Sequence, residues 1–363
     1  MKRRTLFAAG GAAAAAATTL ATPAIAQGRV QWRMVTSWPR GFPGLGVGAE
    51  RIARHVAEMS GGRFTIQVFA AGQLVPPLGV FDAVTQGGAE MMHTASYYWQ
   101  NRNRGLNFFT GVPFGMTSKE IRAWIRYMGG QEIWDEIYAQ FNLKGFMAAD
   151  TGLQAAGWFR KEINTVADIR GLKFRTPGLG GECWRRIGAA VVNLGAGEIL
   201  PNLQSGALDA AEFVGPVTDL ALGFHQAAKF YYWPSVIEPG LAAECSVDKR
   251  KFDALPADLK RILEVAIQAD YDQVAADFEA NNITALRRLV SEFGVQVRML
   301  PDEIAVALGK AAGEILTELR DAGDPLTRKT VESFIKARTA LMEQSGLTDE
   351  PYARMRRLDF KYL

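Results

Sequence analysis

Three charged side chains stand where an apolar strand pattern would not put them. Arg175 closes the run Leu172-Lys173-Phe174-Arg175 and precedes Thr176-Pro177-Gly178, so its guanidinium sits where a strand opens into a loop. Strand alternation turns Leu172 and Phe174 inward and sends Lys173 and Arg175 to the other face, so Arg175 is not expected in the core. A planar fork of N–H donors at that edge is suited to take a carboxylate through two hydrogen bonds. Glu212 ends an apolar strand in Ala210-Ala211-Glu212-Phe213-Val214, where a carboxylate is costly unless paired or metal-bound. Glu238, within Val236-Ile237-Glu238-Pro239-Gly240, is a second acid in an apolar, aromatic-rich stretch. The clusters Tyr97-Tyr98-Trp99 and Phe230-Tyr231-Tyr232-Trp233 can wall a small-molecule site, although most such aromatics are core.

Other chemistries find less support. His55, His93 and His225 show no metal-ligand spacing, and no Gly-x-Ser-x-Gly elbow is present. His93, at a strand end, can orient a neighbour or line a cleft. Gly44-Leu-Gly46-Val-Gly48-Ala49 matches the glycine pattern of a dinucleotide site, which would make the chain an oxidoreductase. However, Trp38–Pro43 separates those glycines from the preceding strand, and the next strand ends Phe69-Ala70-Ala71 without the acid that would hold a ribose. Cys183 and Cys245 are too few for a disulfide scaffold; a single bond is permitted, but connectivity cannot be read from sequence.

The elements that must position these residues alternate between strand and helix. Val30–Thr36, Phe64–Phe69 and Met91–Thr94 read as strands, with helical spacing from Ala49 to Ala57 and over 80–86 between them. The pattern recurs further on. Strands at 145–149, 172–175, near Val191 and at 210–214 alternate with short helices, the first capped by Thr165 with Asp168 three residues later. Two similar α/β units predict two lobes with a cleft between them, each a sheet covered by helices, and clefts of this kind are the usual ligand site. From Pro256 onward the period is helical, with runs at 257–293, 302–322 and 325–344. The organisation expected is lobe 1 mainly over 27–148, lobe 2 mainly over 149–235, a return to lobe 1 over 236–255, and a helical tail over 256–363 packing across both.

The first 26 residues read as an address. Lys2, Arg3 and Arg4 precede an Ala/Gly-rich stretch that ends Ala24-Ile25-Ala26, the layout of an export signal cleaved after Ala26. The Arg3-Arg4 pair with Leu6-Phe7 points to the twin-arginine route and a periplasmic destination. That segment also carries the whole charge surplus of 41 basic over 38 acidic residues. From Gln27 onward the chain is neutral, with no electrostatic reason to bind nucleic acid.

Asp150-Thr-Gly-Leu-Gln154-Ala-Ala-Gly-Trp158 and its continuation to Arg175, His93-Thr-Ala-Ser-Tyr97-Tyr98 and Glu212-Phe-Val-Gly-Pro216 resemble the periplasmic solute-binding subunits of TRAP transporters, the DctP family. The likeness runs from Gln31 into the late helices. It implies a two-lobed binding protein that captures a small organic acid and delivers it to a membrane permease without covalent chemistry. The best match is with members that take 2-oxo monocarboxylates such as pyruvate; lactate or another carboxylate is the alternative. The resemblance puts Arg175 on the ligand carboxylate and Tyr97, Tyr98, Gln154 and Glu238 around the ligand. It also implies a bridging sodium or calcium ion held by Gln154, Glu212, the Phe213 carbonyl and Glu238. One departure is visible: keto-acid binders of the family carry Trp where this chain has Phe213, which keeps the carbonyl and shrinks the ring. Family members with such helical tails can pair through them, so a homodimer is expected.

Overall fold

The computed structural model describes residues 28–363; the export signal and its cleavage point lie outside the described residues. Two sheets form the two lobes. In lobe 1, β1 (Val30–Thr36), β2 (Phe64–Phe69), β3 (Met91–Thr94), β4 (Leu143–Asp150) and β10 (Ala242–Asp248) lie in the order β2-β1-β3-β10-β4. In lobe 2, β5 (Gly157–Phe159), β6 (Lys173–Arg175), β7 (Ala190–Val192), β8 (Ala210–Ala211), β9 (Phe230–Trp233) and β11 (Gln296–Met299) lie in the order β11-β9-β5-β8-β6-β7. β1, β2 and β3 are parallel as the βαβ spacing predicts, but β10 runs antiparallel between β3 and β4, so the sheet is mixed. β5 is likewise antiparallel to both of its neighbours.

The chain passes between the lobes four times among the described residues. β4 leads into β5, and β9 leads back to β10. The 35-residue helix Ala257–Ser291 begins on lobe 1, where Leu259, Leu263 and Ile267 pack with Met34 and Phe64. It ends on lobe 2, where Phe278 and Leu289 pack with Tyr231 and Val295. Helix Asp302–Ala322 lies on lobe 2 against helix Gly178–Arg186, and helix Pro325–Leu347 returns to lobe 1. Among the described residues no helix is long and apolar enough to cross a membrane.

The glycine run finds its reason in packing. A Cβ on Gly44 would collide with the Phe278 ring, and one on Gly48 would lie 2.5 Å from Asp270 Oδ2. These glycines let helix Leu45–Met59 approach the long helix closely enough for the buried Arg51–Asp270 pair to form, Nε to Oδ1 at 2.5 Å. The space a pyrophosphate would need is filled by protein. Cys183 and Cys245 are both buried and free, in different lobes.

Candidate functional site

β6 ends at Arg175 and β8 at Ala211, side by side and parallel, so the segment after each strand emerges at the same edge of lobe 2. Arg175 is 1% exposed and Glu212 fully buried. The expectation that Arg175 lies outside the core therefore needs correcting. It does face away from Phe174, but lobe 1 covers that face. Arg175 Nη1 donates to the Glu212 main-chain oxygen at 2.6 Å and Nε donates to the Leu194 carbonyl at 3.1 Å. Nη2 points at the Tyr98 hydroxyl at 3.5 Å, across from lobe 1. The guanidinium also lies 5.2 Å from the centre of the Phe213 ring, which Phe42 of lobe 1 meets edge-on.

The structure brings the sequence-singled residues into one buried cluster. Tyr97 and Tyr98 follow β3 with their rings 4.8 Å apart. Gln154 lies in the β4–β5 crossing; its Nε2 donates to Thr151 Oγ1 at 2.9 Å, and its main chain exchanges bonds with Glu238 O and Ser235 N. Glu238 lies in the β9–β10 crossing, where its N–H donates to Ser235 Oγ at 3.0 Å. His93 is not a member. Its Nδ1 accepts from Trp38 Nε1 at 2.7 Å, orienting a neighbour, and burial with Arg51 nearby pushes its pKa down to about 3.

Gln154 Oε1, both carboxyl oxygens of Glu212 and Glu238 Oε2 are buried without a hydrogen-bond partner. Every one of these orphans is an acceptor. Burial, with Glu238 nearby, pushes the Glu212 carboxyl far above the usual range, and Arg175 at 3.7 Å only partly offsets it. Burial lifts Glu238 to about 8, again against Arg175. Burial also raises both tyrosines, so they remain hydroxyl donors. Two buried acids grouped with an amide oxygen and one side of a guanidinium suit a hard cation with an anion bridging to the arginine. Among the described residues no group of three or more His, Cys, Asp or Glu side chains could hold a metal by itself. A cation here would need the neutral oxygens of Gln154 and the main chain, and those of its ligand.

Sequence reasoning missed the supports of this cluster. Ser235-x-x-Glu238 is a visible capping-type pattern whose hydroxyl accepts from the N–H three residues on. Asp219, which accepts from Trp158 Nε1 at 2.9 Å and Tyr231 OH at 2.8 Å and so ties the loop after Glu212 to β5 and β9, has no such signal. Neither has the Leu194 carbonyl, since any residue supplies one.

Residues 34–321 match the family model DctP, bacterial extracellular solute-binding protein, family 7. The monocarboxylate 2-oxoacid-binding periplasmic protein of Nostoc sp. is 43% identical over 289 residues, 80% of this chain and 79% of that one. The crystal structure of a TRAP periplasmic solute-binding protein from Pseudoalteromonas atlantica, with bound sodium and pyruvate, superposes with a TM-score of 0.87 at 37% identity. It covers 92% of this chain and 100% of its own. A second, from Colwellia psychrerythraea with bound calcium and pyruvate, gives 0.86 at 36% identity over 90% and 99% of the two chains. Mixed α/β lobes, a shared buried edge and these matches agree that the chain belongs to the DctP family, the extracytoplasmic solute-binding proteins of TRAP transporters.

Proposed function

We propose that this protein captures a 2-oxo monocarboxylate such as pyruvate, together with a sodium or calcium ion, and hands it to its TRAP permease without making or breaking a covalent bond. The observation that carries the reading is the set of buried acceptors, Gln154 Oε1, Glu212 Oε1 and Oε2 and Glu238 Oε2, beside a guanidinium with unused N–H groups. A 2-oxoacid presents a carboxylate and an adjacent carbonyl oxygen, two hard oxygens able to chelate one ion. In this reading Gln154, Glu212, the Phe213 carbonyl and Glu238 hold the cation, Arg175 takes the carboxylate, and Tyr97 and Tyr98 close the ligand in from lobe 1.

Cation and acid then bind cooperatively, because the cation displaces the proton that burial keeps on Glu212 and the ligand oxygens complete the shell around that cation. Calorimetry with pyruvate, a longer 2-oxoacid and lactate, in chelator and in added calcium or sodium, tests this. Tight pyruvate binding that collapses in chelator and sodium-free buffer is expected. Glu212→Gln should weaken binding mainly through the cation, so that excess calcium partly restores it. Binding indifferent to chelator and to Glu212→Gln would remove the bridge, and preference for lactate would move the substrate.

We also propose export by the twin-arginine route, from the Arg3-Arg4 pair, with cleavage after Ala26. Changing that pair to Lys-Lys should leave precursor in the cytoplasm; normal accumulation of mature protein in the periplasm would rule the route out. A homodimer through the C-terminal tail is the third proposal. It is supported by helix Asp349–Met355, which has no buried residue, and by the exposed Leu347, Tyr352, Leu358 and Phe360 around it.

A further inference from the structure

Two lobes that close on a small acid must meet somewhere, and the surfaces that meet have to tolerate it. The Leu194-Gly195 turn of lobe 2 faces Pro77 of lobe 1 so closely that a Cβ on Gly195 would lie 2.6 Å from Pro77 Cγ and 3.1 Å from its Cβ. Backbone strain does not call for glycine here. Gly195 has φ −65° and ψ 155°, open to any residue. The tightest obstacle is the other lobe; within lobe 2 a Cβ would meet only the end of the flexible Glu198 side chain, Oε2 at 3.1 Å.

Both sides of this contact are fixed within their own lobes. The Pro77 carbonyl accepts from Ser37 Oγ at 2.7 Å, and that hydroxyl lies 2.6 Å from Thr94 Oγ1, which ties Pro77 to the ends of β1 and β3. Gly195 N–H donates to Glu198 Oε2 at 2.8 Å and starts helix Ala196–Ser205. The residue just before Gly195 supplies the carbonyl that accepts from Arg175 Nε. The point of touch and the brace of the guanidinium are therefore one peptide apart.

We infer that Gly195 is a positioning residue for solute capture: its lack of a side chain lets lobe 2 seat on Pro77, and that seating sets the Leu194 carbonyl and Arg175 in the geometry that grips the acid. The inference rests on the capture reading above. A β-carbon at this position acts chiefly against the closed form, because in open lobes its near neighbour is the movable end of the Glu198 side chain. Affinity falls while the fold of each lobe is untouched.

The test compares wild type, Gly195→Ala, and Gly195→Ala combined with Pro77→Gly, using pyruvate with calcium. Gly195→Ala should bind roughly tenfold or more weakly, the effect of an overpacked contact. It should leave the melting temperature of the ligand-free protein unchanged, and removing the Pro77 ring should recover much of the loss. Closure is read separately from the distance between spin labels at Leu74→Cys and Val192→Cys, both exposed and on opposite lobes. Cys183 and Cys245 are buried, out of the label's reach. Distances in Gly195→Ala should stay longer than wild type at matched ligand. Wild-type affinity and distances in Gly195→Ala would overturn the inference, as would a loss that Pro77→Gly does not recover. If lactate or benzoate closes the wild type and pyruvate does not, the 2-oxoacid reading falls, and Gly195 is then judged on that ligand. Lobes that stay apart with all three acids would overturn the closed state itself, and the inference with it.

Discussion

Arg175 commits two N–H groups to main-chain carbonyls, Glu212 O and Leu194 O. Of the remaining N–H groups, one on Nη2 reaches the Tyr98 hydroxyl at 3.5 Å, which leaves one on each of Nη1 and Nη2 to act as a fork. A lysine keeps the charge but has a single ammonium that cannot brace both carbonyls and still present two parallel donors. Arg175→Lys should therefore cost about 1.5–3 kcal/mol of ligand binding, the worth of a charged hydrogen bond, or roughly 10- to 150-fold in Kd by calorimetry. Wild-type affinity in that variant would remove the clamp. The position of this residue at a strand end was legible from Phe174 before it and Thr176-Pro177 after it. Its burial was not, because strand alternation reports which face of one sheet a side chain takes and nothing of a second lobe covering that face. The same limit explains Glu212. An acid in an apolar strand signals a partner, yet the partner nearest to it, Arg175, is 37 residues away in sequence.

At the scale of elements, the strand and helix periods located β1, β2, β3 and the long helices within a few residues, since each carries an apolar face of its own. β11 escaped because it is a four-residue edge strand, largely exposed and paired only with β9, and its brief Gln-Val-Arg-Met alternation is too short to stand out between two long helical runs. β10 escaped for the opposite reason. It is central and buried almost throughout, so its run Ala242–Asp248, with Glu244 in the middle, alternates nothing. The glycine run is a case where an element-level cue had a packing cause. Gly48 lies inside helix Leu45–Met59, where alanine is ordinarily the better helix former by about 1 kcal/mol. Here the added Cβ meets Asp270 Oδ2 and disturbs the buried pair with Arg51. Gly48→Ala should consequently destabilise the protein, by roughly 1–3 kcal/mol in denaturant unfolding. A stabilised variant would show that the two helices can move apart freely.

Across the whole molecule, several buried acids hold protons that an unfolded chain would release. Burial lifts Glu244 to about 7, opposed in part by Tyr138 and Ser246, and lifts Asp219 and Asp270 to about 6. A carboxyl raised in the folded state contributes stability that is full below its unfolded pKa and is lost as pH rises through its folded value. Below its ordinary value of 6.5 the depressed His93 works against this trend. The ligand-free protein should therefore melt at progressively lower temperature between about pH 6.5 and pH 8, where Glu244 at about 7 and Glu238 at about 8 lose their protons, and Glu244→Gln should flatten the lower part of that decline. Glu90 works the other way, held at about 2 chiefly by its bonds to Arg33 and Lys251 against the pull of burial, so its contribution is lost only in acid and does not blur this window. A flat profile in wild type would contradict the burial of these acids. Assembly is tested at the same scale. Light scattering should give twice the mass of one chain, and truncation after Leu347 should return it to one; an unchanged dimer in the truncated chain would move the interface elsewhere.

The placing of β11 also bears on how the protein is made. β9, with its run Phe230-Tyr231-Tyr232-Trp233, waits for an edge partner encoded more than sixty residues downstream. Helix Asp302–Ala322, which covers helix Gly178–Arg186, comes later still. On a ribosome adding about 5–20 residues per second, lobe 2 spends several seconds with one edge of an aromatic strand unpaired. During that interval the nascent chain carries an open, sticky edge of the kind that recruits other strands. Chains released before residue 299 should be prey for holding chaperones and proteases, so synthesis to the end is a condition for ever having a clean lobe 2.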